Sequence, residues 1–262
     1  YAPGTNGVQV LDTRDGSVVA DWSTARWLGG KVQAGYVGIL PNGQAATVVD
    51  RQTGQPLQVG DRQTTEVSNV AASPDGGTLI YGRNDGSVWR LQPAADDVQL
   101  ELKPARRWAF NVDETGESFC YTTQSFRLVS WSLTGGGVNW IIKMPTLVAD
   151  LTRIRKHNLL VVAVTNGELC VVDSDTGAVV RTIVSGSSSA LHVSINEQVQ
   201  RVFVGGNDGR IHVYDSNDWL HLTTFRLDQR DPIWSVKTTT DGSRLVALTQ
   251  NGTIYVVAEK GE

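Results

Sequence analysis

Cysteine is nearly absent from this chain, with only Cys120 and Cys170 among 262 residues. Two thiols cannot staple a disulfide-dependent miniature fold, and their separation is far from the short spacing of a metal-thiolate site. They read as buried, reduced thiols. No run of roughly eighteen or more apolar residues occurs, so no membrane insertion through a helix is expected. Positive charge is not in excess: 23 Lys and Arg stand against 27 Asp and Glu, a formal net charge of −4. That balance gives no general attraction to nucleic-acid phosphates or anionic lipid. Two basic clusters, Arg106 and Arg107 beside Trp108 and the group Arg153, Arg155 and Lys156, are expected to be solvated strand-edge charge rather than a nucleic-acid site. A helical period is missing too, because no stretch longer than about ten residues sustains it. No helix of consequence is expected.

Catalytic and cofactor patterns are equally scarce. The four histidines, His157, His192, His212 and His221, lack the short spacings that build a metal site. The serine-rich run at residues 185–189 has no nucleophile-elbow context and reads as a polar connection. A phosphate loop needs a helix N-terminus to aim its amides, and a calcium loop needs more carboxylates than Asp173-Ser174-Asp175 supplies. The expectation is therefore no catalytic residue, no cofactor and no metal.

What the chain has instead is a repeat. Residues 200–216 (QRVFVGGNDGRIHVYDS) place two β-rich runs around Asn207-Asp208-Gly209, a combination that supplies the positive φ of a tight hairpin. The phrase recurs as LIYGRNDGSVWRL at 79–91, VVAVTNGELCVVD at 161–173 and LVALTQNGTIYVV at 245–257. Fainter copies stand at 38–50, at 119–131 and at the start of the chain. With turns at Gly7, Gly43, Gly86, Ser125, Gly167, Gly209 and Gly252 the spacings are 36, 43, 39, 42, 42 and 43. The period is close to forty-one.

One unit parses into four extended segments at 147–153, 159–164, 168–173 and 178–184, with turns at Lys156-His157-Asn158, Asn166-Gly167 and Asp175-Thr176-Gly177. Four short antiparallel strands at this period are the pattern of a β-propeller blade. Hydrophobic residues at 40% suffice for a shared core, so residues 1–262 are expected to form a single all-β domain. The strands read as apolar at successive positions, as expected where both faces are covered. Seven blades with incomplete terminal ones is the reading taken, and six blades plus an extra hairpin is the alternative. Tyr1 opens inside a repeat, which is expected of a piece cut from a longer protein or of a processed form.

These residues resemble a degenerate WD-repeat β-propeller over essentially the whole chain. The matching pieces are Ser73-Pro74-Asp75-Gly76, the two Asn-Asp-Gly turns, and third strands ending in Leu11-Asp12, Val49-Asp50, Val172-Asp173 and Tyr214-Asp215. None of these is Trp-Asp, and the Gly-His opening is absent, so the hydrogen-bond tetrad of that family is not carried over. Asp12 to Gly16, Asp50 to Gly54 and Asp173 to Gly177 share a D-x-x-x-G spacing that also resembles quinoprotein-like and YVTN-like propellers. Both resemblances imply a propeller, and neither implies one function.

Most of the eight tryptophans are expected to fill the space between sheets. Trp27, Trp108 and Trp234 differ, because they fall near the start of first strands. Counting seventeen residues back from each hairpin turn after the first gives Arg26, Asn69, Trp108, Asp150, His192 and Ser235. Different polar or aromatic types at one repeat phase are expected of a recognition surface, so Arg26, Trp27, Asn69, Trp108, Asp150, His192, Trp234 and Ser235 are the candidate partner-binding residues. The expected function is a non-catalytic scaffold that binds a protein or peptide, one module of a larger protein, with no enzyme activity and a cytoplasmic setting. A channel-sited enzyme or cofactor binder of quinoprotein or lactonase type is the alternative. It would need converging carboxylates, and only Asp150 falls at the right phase.

Overall fold

The computed structural model describes residues 2–4, 7–11, 18–22, 25–27, 36–41, 47–50, 56–57, 67–73, 77–83, 87–91, 98–100, 110–113, 115–227, 230–239 and 241–258, with side chains at 71, 73, 77–82, 87–90, 98–100, 111–113, 115–227, 230–239 and 241–257. The described residues are all-β, in antiparallel meanders compatible with a propeller-like fold, and hold no α-helix. Seven sheets follow one another along the chain. The first has three strands, Ala2–Gly4, Gly7–Leu11 and Val18–Trp22. The second comprises Ala25–Trp27, Tyr36–Pro41, Thr47–Asp50 and Pro56–Leu57. The third comprises Val67–Ala72, Leu79–Arg83, Val88–Leu91 and Val98–Leu100. The fourth comprises Phe110–Val112, Ser118–Thr122, Arg127–Ser132 and Gly137–Lys143.

The fifth sheet, Val148–Ile154, Leu159–Val164, Glu168–Asp173 and Val179–Val184, matches the sequence parse to within a residue at each end. The sixth comprises Ala190–Asn196, Arg201–Gly206, Arg210–Asp215 and His221–Arg226. The seventh has three strands, Ile233–Thr238, Arg244–Thr249 and Ile254–Ala258. Two compact units divide the chain: Tyr1–Ser125 with Val129–Val138, and Phe126–Leu128 with Asn139–Glu262.

The strand sequences explain the layering. Leu160 to Val164 are fully buried, as are Leu169, Val171 and Val172, so the two middle strands of the fifth sheet are covered on both faces. Their β-branched side chains favour the extended backbone, and burial of each contributes about 1.5–3 kcal/mol. The fourth strand of the same sheet is mostly exposed. Within each unit the described core residues lie between successive sheets. In the first unit Ala71, Ile80 and Val88 of the third sheet pack against Val112, Phe119, Tyr121 and Val129 of the fourth. In the second unit Ile154, Val161, Ala163 and Leu169 meet Ala190, Val193, Val202, Val204 and Tyr214. Phe203, Ile211 and Val213 then meet Ile233, Val236, Leu245 and Ala247.

Turns repeat as strictly as strands. Left-handed backbone recurs after first strands at Gly116, Asn158, Gln200 and Gly242, each 42 residues from the last. It recurs in the hairpins between second and third strands at Phe126, Gly167, Gly209 and Gly252. The fourth sheet's turn position is thus Phe126, one residue later than the expected Ser125. Its φ of 57° has no glycine to announce it. Third turns place Gly136, Gly177 and Trp219 in the same conformation. In each, the N–H of that residue donates to the carbonyl four residues earlier, on Ser132, Asp173 and Asp215. The Asp173 Oδ1 accepts from the N–H groups of Asp175 and Thr176, and Asp215 Oδ1 accepts from Asn217 and Asp218. This is the physical content of D-x-x-x-G: the aspartate caps the turn and the fourth following residue takes the positive φ. These hydrogen bonds hold the Asp173 and Asp215 carboxyls below the usual carboxylate range, led for Asp173 by the Thr176 hydroxyl and for Asp215 by the Asn217 amide.

Candidate functional site

The repeat phase singled out in the sequence corresponds to a backbone irregularity. First strands carry a β-bulge between Val67 and Asn69, Val148 and Asp150, Ala190 and His192, and Ile233 and Ser235. Each bulge inserts one residue, here Ser68, Ala149, Leu191 or Trp234, and re-aims the side chains on either side of it. Asn69, Asp150, His192 and Ser235 are therefore equivalent positions, each the first residue to resume pairing.

Two of them meet. The Asp150 Oδ1 accepts the N–H of Leu151 at 2.8 Å, which fixes the carboxylate, and Oδ2 accepts the N–H of Val193 at 3.0 Å. The same Oδ2 lies 3.4 Å from His192 Nε2. His192 Nδ1 in turn accepts the N–H of Val236 at 3.3 Å. An Nδ1 that accepts leaves the proton on Nε2, facing the carboxylate, so the tautomer is set by its two neighbours. The side chains are 13% and 12% exposed, enough burial to strengthen these contacts. The result is a chain of side-chain staples tying the first strands of the fifth, sixth and seventh sheets.

The other candidates separate. Trp234, in the inserted position of its bulge, is 59% exposed. Ser235 beside it is half-buried. Arg26 and Trp27 lie on the first strand of the second sheet, opposite Leu40 and Ile39, and Asn69 lies opposite Gly82; their side chains are outside the described residues. Trp108 is outside them altogether. Counted from Phe126 rather than Ser125, however, Trp108 shares the phase of Trp234, Leu191 and Ala149, the inserted residues.

Among the described residues of the fourth to seventh sheets, that end also carries the second turns and the connections between sheets. Met144 donates its N–H to Phe126 O, Ser185 to Gly167 O and Leu227 to Gly209 O, while Thr165 donates to Leu147 O and Gln250 to Pro232 O. Phe126 at 42% exposed and Val184 at 77% sit at this end of their own sheets, as Trp234 does. Sequence reasoning missed Phe126, for which only a hairpin lacking glycine could have served as a signal.

The histidines divide in the same way. His192, His212 and His221 do lie on the first, third and fourth strands of one sheet, but only the last two approach, with ring centroids 5.7 Å apart. No group of three or more His, Cys, Asp or Glu able to hold a metal occurs among the described residues. Burial pushes the Cys170 thiol up and the Tyr214 phenol up to about 12, so neither is poised to ionise near neutral pH. Neither cysteine is in a disulfide, and both are buried. Among the described residues no helix is long and apolar enough to cross a membrane. No protein-family model and no curated protein matches this chain.

Proposed function

We propose that the sheets are the blades of a seven-bladed, degenerate WD-repeat-like propeller that works as a non-catalytic scaffold, binding a protein or peptide on the edge that holds the second turns and the first-strand bulges. The observation that carries the reading is Trp234. A tryptophan 59% exposed, on a strand whose neighbouring N–H is held by His192, combines a large apolar contact with a fixed backbone. Such a residue loses little conformational freedom on association and is a residue type that dominates interface energies. Phe126 and Val184 extend the apolar character of the same end. Among the described residues the first and last sheets have three strands and the five between them four, which supports the seven-unit reading.

The test starts from a displayed peptide library selected against the intact protein, followed by calorimetry on the selected peptides. Trp234→Ala is expected to weaken them roughly thirtyfold, the size of a hot-spot truncation of about 2 kcal/mol. Val180→Ala, also at an exposed position but beside the third turn, is expected to leave them unchanged. No selected peptide, or peptides indifferent to Trp234→Ala, would reject the reading.

A further inference from the structure

The third and fourth strands of the sixth sheet set two arginines directly across from each other. Arg210 stands opposite Arg226 in the register, and the next pair on that face is His212 with Thr224. The alternate residues, Ile211, Val213 and Phe225, belong to the apolar cluster on the other face. Like charges directly opposite in an antiparallel pair are destabilising, so this pairing works against the sheet. Little in the protein offsets it. Asp208 Oδ2 lies 3.5 Å from Arg210 Nε, a loose contact at one end of the guanidinium, while Asp208 Oδ1 accepts the Arg210 N–H and the Ser187 hydroxyl. Arg226 is exposed and has no hydrogen-bond or ion-pair partner among the described residues, which do not include Asp228. The inner pair is occupied with its own neighbours: Thr224 Oγ1 lies 3.1 Å from His212 Nδ1 and 2.9 Å from His221 Nε2. Guanidinium donors at the strand end are what this face leaves for a ligand. The next residue, Leu227, donates its N–H to Gly209 O, so the arginines sit at the second-turn end.

The repeat itself does not demand cations here. Glu168 and Val184 are register partners at the same place in the fifth sheet, following Gly167 and Gly177 as Arg210 and Arg226 follow Gly209 and Trp219. A carboxylate and a valine therefore satisfy the fold where the sixth sheet has two arginines. We propose that Arg210 and Arg226 form a clamp for a carboxylate, the side chain of an aspartate or glutamate in a peptide bound at this end of the sheets. The clamp rests on the scaffold reading above and adds the chemistry of its partner. Planar guanidinium forks match the two oxygens of a carboxylate, and two forks at cross-strand spacing can serve both. A negative charge between them also relieves the repulsion that the free protein carries. The overall formal charge of −4 gives no general pull on an acidic partner, so the attraction is local and sensitive to salt.

Peptides selected from a displayed library against the intact protein are expected to share an Asp or Glu at one position. Calorimetry then pairs Arg226→Ala with replacement of that acid by its amide. Each single change is expected to weaken binding roughly tenfold, and the two together no more than either alone. Arg226→Lys keeps the charge and loses the fork, so an intermediate loss is expected, and it decides the matter should Arg226→Ala not fold. Peptides that need Trp234 but share no acidic position overturn the clamp and leave the scaffold standing, as does an acid whose replacement adds fully to the loss from the Arg226 variant. Acidic peptides that need Arg226 and are indifferent to Trp234→Ala support the clamp and count against Trp234. Failure to select any peptide overturns both.

Discussion

The indole of Trp140 lies against Gly177, so close that a Cβ on the glycine would stand 2.7 Å from Cδ2 of the ring. Trp140 reaches from the fourth strand of the fourth sheet to the third turn of the fifth, and its Nε1 donates to Ser174 O at 2.8 Å. Gly177 is thus required twice, for its φ of 74° and for the absence of a side chain.

Gly177→Ala is expected to destabilise the protein by roughly 3 kcal/mol, about 1 from left-handed backbone and the rest from displacing the ring. Gly252→Ala is the control. Gly252 has φ 87° but nothing within 4 Å of an added Cβ, so only the backbone part, about 1 kcal/mol, is expected there. Urea unfolding of both variants separates the two costs.

Phe126 occupies a conformation that glycine holds in the next three hairpins, with a ring 42% exposed. Phe126→Asn is expected to be neutral or stabilising by up to about 1 kcal/mol, because asparagine tolerates the left-handed region better. A thermal melt lowered by several degrees would instead show that the ring contributes packing.

Removing the Asp150 carboxylate strips the Val193 N–H and the His192 Nε2–H of an acceptor together. Asp150→Ala is expected to cost about 2–4 kcal/mol, and Asp150→Asn, which keeps an oxygen acceptor, about 1. Hydrogen exchange at the Val193 amide should rise with the former substitution much more than with the latter.

Acid is expected to destabilise the fold in two stages. Burial lowers the His212 pKa, so folding favours its neutral form: that stability is complete above the unfolded value of about 6.5 and is lost as pH falls toward the folded one. Hydrogen bonds lower the Asp173, Asp215 and Asp241 carboxyls, Asp241 chiefly through Thr239. Their contribution is present above about 3.9 and is lost as pH falls further, through the folded values. Denaturation midpoints across this range should show both steps, and His212→Gln should remove the first.

Cys120 and Cys170 are expected to react with an aromatic disulfide reagent only as fast as the protein opens, since both are buried and burial raises the Cys170 thiol pKa. Labelling that runs to completion under native conditions, well ahead of global unfolding, would contradict that burial.

Strands at Leu159–Val164 and Glu168–Asp173 were legible because runs of β-branched residues between Asn-Gly and Asp-Thr-Gly turns are local signals. Where the turn residue was atypical the signal failed: Phe126 and Trp219 hold positive φ without being glycine, and no short-range rule marks them. Asp150 and His192 could be found by counting from the turns, but their contact could not. The histidine pair His212 and His221 was legible as two residues of one sheet and not as a shared hydroxyl.

The sequence by itself determined the period, the antiparallel strands and most turns, because backbone preference and apolar patterning act over a few neighbouring residues. Only the tertiary structure decided which polar groups meet and which apolar ones stay in water. Asp150 reaches Val193 and His192 reaches Val236 across gaps of 43 and 44 residues, at a geometry set by the bulges that precede them. A bulge depends on how two strands pair, and a staple on how two sheets pack, so neither is a property of a local stretch of chain.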